Sequence, residues 1–270
     1  MPTGADIDLL SVGGTGLAGR AVVAEAVGRG LRVRVLSRHV PDAGSPVRVA
    51  GAEYVAGDIL TGAGVQAALA GVRALVDTTN GTTRATRPTL TVGARVLTDA
   101  AVLAGVRRLV LLSIVNVDRS DFAYYQAKAE QERIYLGAQV DARLVRATQF
   151  HDLVATFCHL VPFGLATALD GIRFQPIAVA DVARALVDQA TPGESTTERT
   201  VIVGGPLIQT TRELAELWQR AHGRHGHILT VPLPGRLGDF FRSGQNLAPD
   251  RRGGTVTFEE WLASSDGGQP

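Results

Sequence analysis

The sequence predicts an α/β protein built on a doubly wound parallel sheet, and three observations carry that prediction. Short apolar runs alternate with amphipathic helical segments from residue 8 to about residue 161. A glycine-rich turn follows the first of those runs and opens a helix. The residues able to do chemistry recur where strands end, not where they begin. Alternation of this kind implies right-handed crossovers and a parallel sheet. In such a sheet ligands collect beyond the carboxyl ends of the strands.

The first strand spans residues 8–12 (DLLSV) and breaks at Gly13. Gly14, Gly16 and Gly19 fit G-x-G-x-x-G, and Gly13 extends the pattern by one residue. The early glycines allow a tight turn and close backbone approach to a pyrophosphate, and the last lets the helix pack closely on the sheet. Free N–H groups and the positive end of the helix then hold the phosphates. A helix at 17–29, apolar at Leu17, Val22, Val23, Ala26 and Val27, and a strand at 32–37 complete a Rossmann-type unit. Gly13, Gly14, Thr15, Gly16, Leu17 and Gly19 are therefore the predicted cofactor turn. At the end of the second strand, where a carboxylate would bind the ribose of NAD, the chain has Ser37-Arg38, and the first acid is Asp42. A guanidinium grips a 2′-phosphate with paired hydrogen bonds, so NADP(H) is the predicted cofactor.

Further strands are expected at 53–56, 74–77, 108–113 and 142–146, with helices at 65–70, 89–104 and 122–136. Asp58 and Ile59 follow the third strand and are predicted to meet the adenine. Thr78, Thr79 and Asn80 follow the fourth, in a turn that ends at Gly81 and is predicted to pass along the cofactor. Beyond residue 161 the elements shorten and proline becomes more frequent. Strands are expected at 171–176, 201–203 and 228–231, and helices at 179–190 and from the capping box Thr210-x-x-Glu213 to about residue 221. This divides the chain into a cofactor-binding core, 1–161, and a C-terminal region, 162–270, that completes the sheet and shapes a substrate pocket. Residues 264–270 read as a frayed tail.

Composition narrows the function. A net charge of +1 gives no electrostatic case for nucleic acid or an anionic membrane. The lone cysteine, Cys158, excludes an internal disulfide. The N-terminus, MPTGADID, has neither a basic stretch nor an apolar signal core, and no apolar run reaches spanning length. A cytoplasmic protein acting on a small molecule is expected, with its oligomeric state open. His222, His225 and His227 follow a helix with no acid or cysteine to complete a ligand set, so charge at a helix end explains them and no metal is predicted. Trp218 and Trp261 read as packing residues.

One lysine stands among 27 basic residues, the other 26 being arginine. With the abundance of Ala, Gly and Val, this indicates a coding bias that replaces lysine wherever arginine serves. The surviving Lys128 lies four residues after Tyr124 in AYYQAKAEQE, so the two share one helix face. A nearby ammonium lowers a phenol's pKa and readies it for proton exchange near neutral pH. Arginine's planar fork would not substitute well for that compact charge.

These motifs, with VGGTGLAGR, LSR, LSIVNVDR, YYQAKAEQE, VRATQFHDLV, FQPIAVADVA and GTVTFEEWLA, resemble the short-chain dehydrogenase/reductase superfamily in its atypical, NmrA-like branch. The resemblance spans nearly the whole chain. It implies an NADP(H)-binding sheet and a substrate region drawn from the C-terminal third. It further implies that Ser113, Tyr124 and Lys128 are the catalytic Ser–Tyr–Lys set, with Lys128 also holding the nicotinamide ribose. Tyr125, adjacent, is an alternative acid. Asn116, Tyr125, Gln149, Phe150 and His151 are the expected substrate contacts, His151 equally serving a structural role at a helix start. The activity implied is NADPH-dependent reduction of a small carbonyl, enone or quinone, and the coding bias points to specialised metabolism as its setting. A redox-neutral isomerase or cyclase and a non-catalytic NADP(H) sensor are the alternatives.

Overall fold

The computed structural model describes residues 6–160, 165–191 and 198–264. The expected tail lies outside them apart from Ser264. The first half runs β1 (Ile7–Val12), α1 (Leu17–Gly28), β2 (Val33–Ser37), β3 (Glu53–Ala56), α2 (Val65–Ala68), β4 (Val72–Asp77), α3 (Pro88–Ala104), β5 (Arg108–Ile114), α4 (Ala123–Gly137) and β6 (Asp141–Ala147). There follow α5 (His151–Cys158), β7 (Ala166–Leu169), β8 (Arg173–Phe174), α6 (Val179–Ala190), β9 (Thr200–Val203), β10 (Gln209–Thr210), α7 (Thr211–Ala221), β11 (Ile228–Val231), α8 (Gly235–Arg242) and α9 (Phe258–Ala263).

Seven strands form the main sheet in the order β3-β2-β1-β4-β5-β6-β9. The pairs from β3 to β5 are parallel, with Leu9 opposite both Val33 and Ala74. Strand order reverses direction at β1, the doubly wound arrangement read from the sequence, and the switch lies between β1 and β4. Both faces of a parallel sheet are covered, so its strands are continuous apolar runs. Leu9, Leu10, Val35, Leu75, Val76, Leu109 and Val110 are all buried on this account. Helix α3 begins with Pro88 in its first turn and stops at Gly105, whose φ of +69° lies in the left-handed region that favours glycine. Between them Leu90, Ala94, Leu97 and Ala101 recur at helical spacing and are fully buried. Each leucine so buried contributes roughly 1.5–3 kcal/mol.

The chain divides into two compact units, and not at a single point near residue 161. One comprises Met1–Ser113, Ala123–Val145 and Ala183–Val201; the other comprises Ile114–Phe122, Arg146–Val182 and Ile202–Pro270. The interleaving has identifiable causes. In the first unit, Arg29 pairs with Asp188 at 2.6 Å, Arg108 donates to the Gln189 carbonyl, and Leu144 N–H donates to Arg199 O. These bonds bring α6 and the start of β9 to the sheet. In the second, Thr148 N–H donates to Val203 O and His151 N–H to Ile177 O. β7 pairs in parallel with β11, and β8 antiparallel with β10. Among the described residues no helix is long and apolar enough to cross a membrane.

Candidate cofactor and catalytic site

The glycine turn has the geometry that the motif requires. Gly13 adopts φ +81°, and a side chain there would meet the Thr78 backbone at 3.0 Å. Thr78 in turn donates from its N–H and its hydroxyl to Val12 O, which locks the β4 turn against the β1 turn. A Cβ on Gly19 would lie 2.1 Å from Gly13 O, so α1 and the turn touch backbone to backbone. Gly16 is the N-cap of α1, and no side chain caps that end among the described residues. The first N–H groups of a twelve-residue helix are thus open beside an exposed glycine. That arrangement fits a dinucleotide pyrophosphate. Thr15 is half-buried and Leu17 exposed at the same edge.

The other strand ends are less uniform. Ser37 donates to His39 O at 2.8 Å, shaping the β2 turn, and the Arg38 guanidinium is exposed. Asp58 accepts from Leu60 N–H and closes its own turn. Ile59 departs from expectation. Its side chain is buried in the core beside α3, where Gly93 makes room for it, so it packs the sheet and presents no side chain to an adenine.

Helix α4 is hydrogen-bonded to the ends of two neighbouring strands. The Tyr124 hydroxyl donates to Asn80 Oδ1 at 2.8 Å, beyond β4, and Asn80 Oδ1 also accepts from Gly81 N–H. Lys128 Nζ donates to Leu112 O at 2.8 Å, immediately before Ser113 at the end of β5. Its second bond, also 2.8 Å, goes to Gln131 Oε1. Among the described residues one of its three N–H donors stays uncommitted, as a ribose hydroxyl would require. Ser113 is buried, and its Oγ has no hydrogen-bond partner among the described residues. A hydroxyl left unsatisfied in this way is costly unless a ligand completes it.

The electrostatics correct one expectation. Burial pushes the Tyr124 phenol up to about 12, and Lys128 does not depress it. Tyr125 is raised further, by burial and then by its tilted neighbour Tyr124, their ring centroids 5.6 Å apart. Lys128 is itself lowered to about 8 by burial, against the opposing charges of Asp77 and Glu132. At neutral pH, then, Tyr124 is a neutral proton donor and Lys128 is mostly an ammonium.

The expected substrate contacts in the second unit are engaged in its own architecture. Asn116, at φ +50°, donates to Gln245 O. Gln149 is buried, donating to Asn246 O and accepting from Gln175 N–H. Phe150 forms a bridge with Ile177 and is the N-cap of α5. His151 is fully buried between Phe258 and Trp261, ring centroids 5.7 and 5.5 Å away, with Nε2 against Val256 O. Burial lowers it to about 4, so it stays neutral and anchors the α9 segment. This is the structural role of the two named from the sequence. His222 caps α7 and stacks on Trp218 at 4.3 Å. Among the described residues no group of three metal-ligating side chains is assembled. Sequence reading missed Asp77, Gln131 and Tyr135, which form a buried network under Lys128: Gln131 Nε2 and the Tyr135 hydroxyl both donate to Asp77 Oδ2.

The profile of the NAD(P)H-binding family matches residues 13–192. The chain belongs to that family. The resemblance of its motifs to the short-chain dehydrogenase/reductase superfamily agrees with that match. Among relatives, the chloroplast protein High Chlorophyll Fluorescence Phenotype 244 of Arabidopsis thaliana is 27% identical over 270 residues. The match takes in 95% of this chain and 66% of that protein, so the chain spans about two thirds of that relative's length. The photosystem II assembly factor Ycf39 of Cyanophora paradoxa is 25% identical, over 96% of this chain and 82% of its own. Similar solved structures include MoeE5 with UDP-glucuronic acid and NAD (TM-score 0.70, 20% identity, 95% and 96% covered). The UDP-glucose 4-epimerase of Thermotoga maritima with UDP-glucose has a TM-score of 0.72 at 16% identity (94% and 96% covered). Likeness at that identity extends to the fold.

Proposed function

We propose that this family member is an NADPH-dependent reductase of a small organic carbonyl, enone or quinone, working in the cytoplasm. One observation carries the reading: a neutral tyrosine hydroxyl is fixed on the turn that follows β4, while an ammonium one helical turn away keeps a donor uncommitted among the described residues. The residues that would hold the cofactor are Gly13–Gly19 at the pyrophosphate, Arg38 at the 2′-phosphate, the Thr78–Asn80 turn along its length and Lys128 at the nicotinamide ribose. When bound, the cofactor supplies the hydride equivalent. Ser113 Oγ donates a hydrogen bond to the substrate oxygen and favours the charge that develops there. Tyr124 delivers the proton that completes the alcohol, and the phenolate left behind is re-protonated from solvent. A phenol held at about 12 favours this direction, because it keeps its proton until a stronger base forms beside it.

The test is Tyr124→Phe against a panel of small quinones and dicarbonyls. NADPH affinity is expected to stay within about threefold of wild type, while turnover falls by about 10²–10⁴, the usual worth of a positioned proton donor. Tyr125→Phe should change turnover far less. Equal turnover in wild type and both variants would remove the tyrosine from the chemistry. The names of the Ycf39-type relatives favour a second reading, in which the chain binds NADPH and serves the assembly of another protein. The same assay separates the two, since such a factor binds cofactor and reduces nothing in the panel.

A further inference from the structure

Beneath Lys128 lies a chain of buried polar groups that the proposed reaction leaves unused. Asp77, the last residue of β4, is fully buried. Its Oδ1 accepts from Thr79 N–H at 2.7 Å. Its Oδ2 accepts from the Tyr135 hydroxyl at 2.7 Å and from Gln131 Nε2 at 3.0 Å. Gln131 Oε1 then accepts from Lys128 Nζ at 2.8 Å. An ionised carboxylate only accepts hydrogen bonds and an ammonium only donates. The amide between them therefore has one permitted orientation, Nε2 toward Asp77 and Oε1 toward Lys128. Reversing either end would set donor against donor or acceptor against acceptor.

We propose that Asp77, acting through the Gln131 amide, is the positioning group that fixes the place and the ammonium form of Lys128. Two charges in a buried site are costly apart and tolerable when linked by satisfied hydrogen bonds. Asp77 supplies the balancing charge, and Gln131 carries it to an ammonium that does not touch the carboxylate directly. Through Thr79 the same carboxylate also sets the turn that carries Asn80, the partner of Tyr124. A single carboxylate thus orients both side chains expected to serve the reaction. The charged and titratable groups that face Lys128 are Asp77 from β4 and Glu132 from its own helix, with Tyr135 on Asp77 and Tyr124 one turn earlier. The proposal rests on the reading of Lys128 as the ribose-binding lysine.

Because Lys128 is the sole lysine, protein grown on ¹³Cε-lysine gives one side-chain signal, whose pH titration reads this ammonium directly. The wild-type midpoint is expected near 8. Asp77→Asn removes the charge and turns one of its two acceptor oxygens into a donor, so the three groups that donate to Asp77 can no longer all be satisfied. Gln131→Met keeps length and packing but breaks the link. Both midpoints should fall by about one unit, since each change withdraws support from the charged form. Urea unfolding checks that each variant is folded, and Gln131→Met decides alone if Asp77→Asn is not. A midpoint unchanged or raised in the folded variants overturns the proposal. Adding NADPH to wild type tests the underlying reading separately. A Lys128 signal indifferent to NADPH, with variant midpoints still lowered, would leave the positioning group in place and sink the oxidoreductase assignment.

Discussion

Three alanine substitutions in one helix separate the fold from the site. In Gly19→Ala the new methyl lies 2.1 Å from Gly13 O and 2.6 Å from Gly13 C and Gly14 Cα, all of them backbone atoms. Ordinary contact begins at 3.4 Å, so α1 must withdraw from the turn by roughly 1.3 Å. Overpacking of this kind costs about 1–3 kcal/mol, and here it also moves the open N–H groups, so affinity for NADPH should fall with stability. In Gly16→Ala the methyl meets only Gly13 O, at 3.4 Å, and fits. The fold should lose no more than about 1 kcal/mol, the difference between glycine and alanine as an N-cap. The methyl nevertheless occupies the exposed face where a pyrophosphate must approach, so affinity should drop at least tenfold, about 1.4 kcal/mol. Gly28→Ala has open space around it at the last residue of α1 and should stabilise by about 0.5–1 kcal/mol with cofactor binding intact. Urea midpoints and calorimetric NADPH titrations measure both quantities. Wild-type affinity in Gly16→Ala would show that phosphate does not lie on this turn. A wild-type midpoint in Gly19→Ala would show that α1 is not seated as described.

Two further predictions address cofactor choice and acid stability. Wild-type protein should bind NADPH at least about tenfold tighter than NADH, one charge-assisted contact being worth roughly 1.5–3 kcal/mol, and Arg38→Asp should erase or reverse the preference; equal affinities for both cofactors in wild type would refute the 2′-phosphate role. His151 lies below its ordinary value at about 4, so the unfolded chain binds its proton first as pH falls. Stability from this group is complete above about pH 6.5 and is lost on the way down to about 4, by on the order of 3 kcal/mol at most. His151→Phe should flatten the urea-midpoint profile in that window; an identical slope in variant and wild type would place the titration elsewhere. The carboxylates lowered by partners, Asp8 through its bond from Arg32 and Glu213 and Glu260 through their capping boxes, lose their contribution at still lower pH.

The parts of this molecule legible in the sequence are those whose physics is local. The glycine turn, the uniform apolar strands and the four-residue step from Tyr124 to Lys128 each declare themselves within a few neighbouring residues. Helix α7 was legible through its capping box, and the same signature at Thr257 and Glu260 marks α9, which the sequence reading passed over. Helix α5 and strand β7, eight and four residues long, carry no such local signature. The sign of the Tyr124 shift was misread for a different reason: spacing along a helix reveals a neighbouring charge, but not the burial that outweighs it.

The second unit resists a local reading because buried amides, beside its apolar core, tie its irregular segments together. Gln175 Nε2 donates to Gly205 O and Ala248 O while its Oε1 accepts from Ala248 N–H. Gln149 and Asn246 join them, and Thr148 Oγ1 donates to Gln175 O. Each partner is a backbone or amide group 26 to 97 residues distant. Seen in sequence, a polar residue just beyond a strand looks like a ligand contact, as Gln149 does, and the family resemblance adds Asn116 to the expected pocket. Their hydrogen bonds show what such residues do when the connecting segments are irregular. Loops that enter an interior carry N–H and C=O groups that no helix or ladder satisfies, and glutamine and asparagine supply a donor and an acceptor together. Asp77 and Gln131 obey the same logic in the first unit, with a charge added. There the sole lysine depends on partners three and 51 positions away, and only the fold brings them to it.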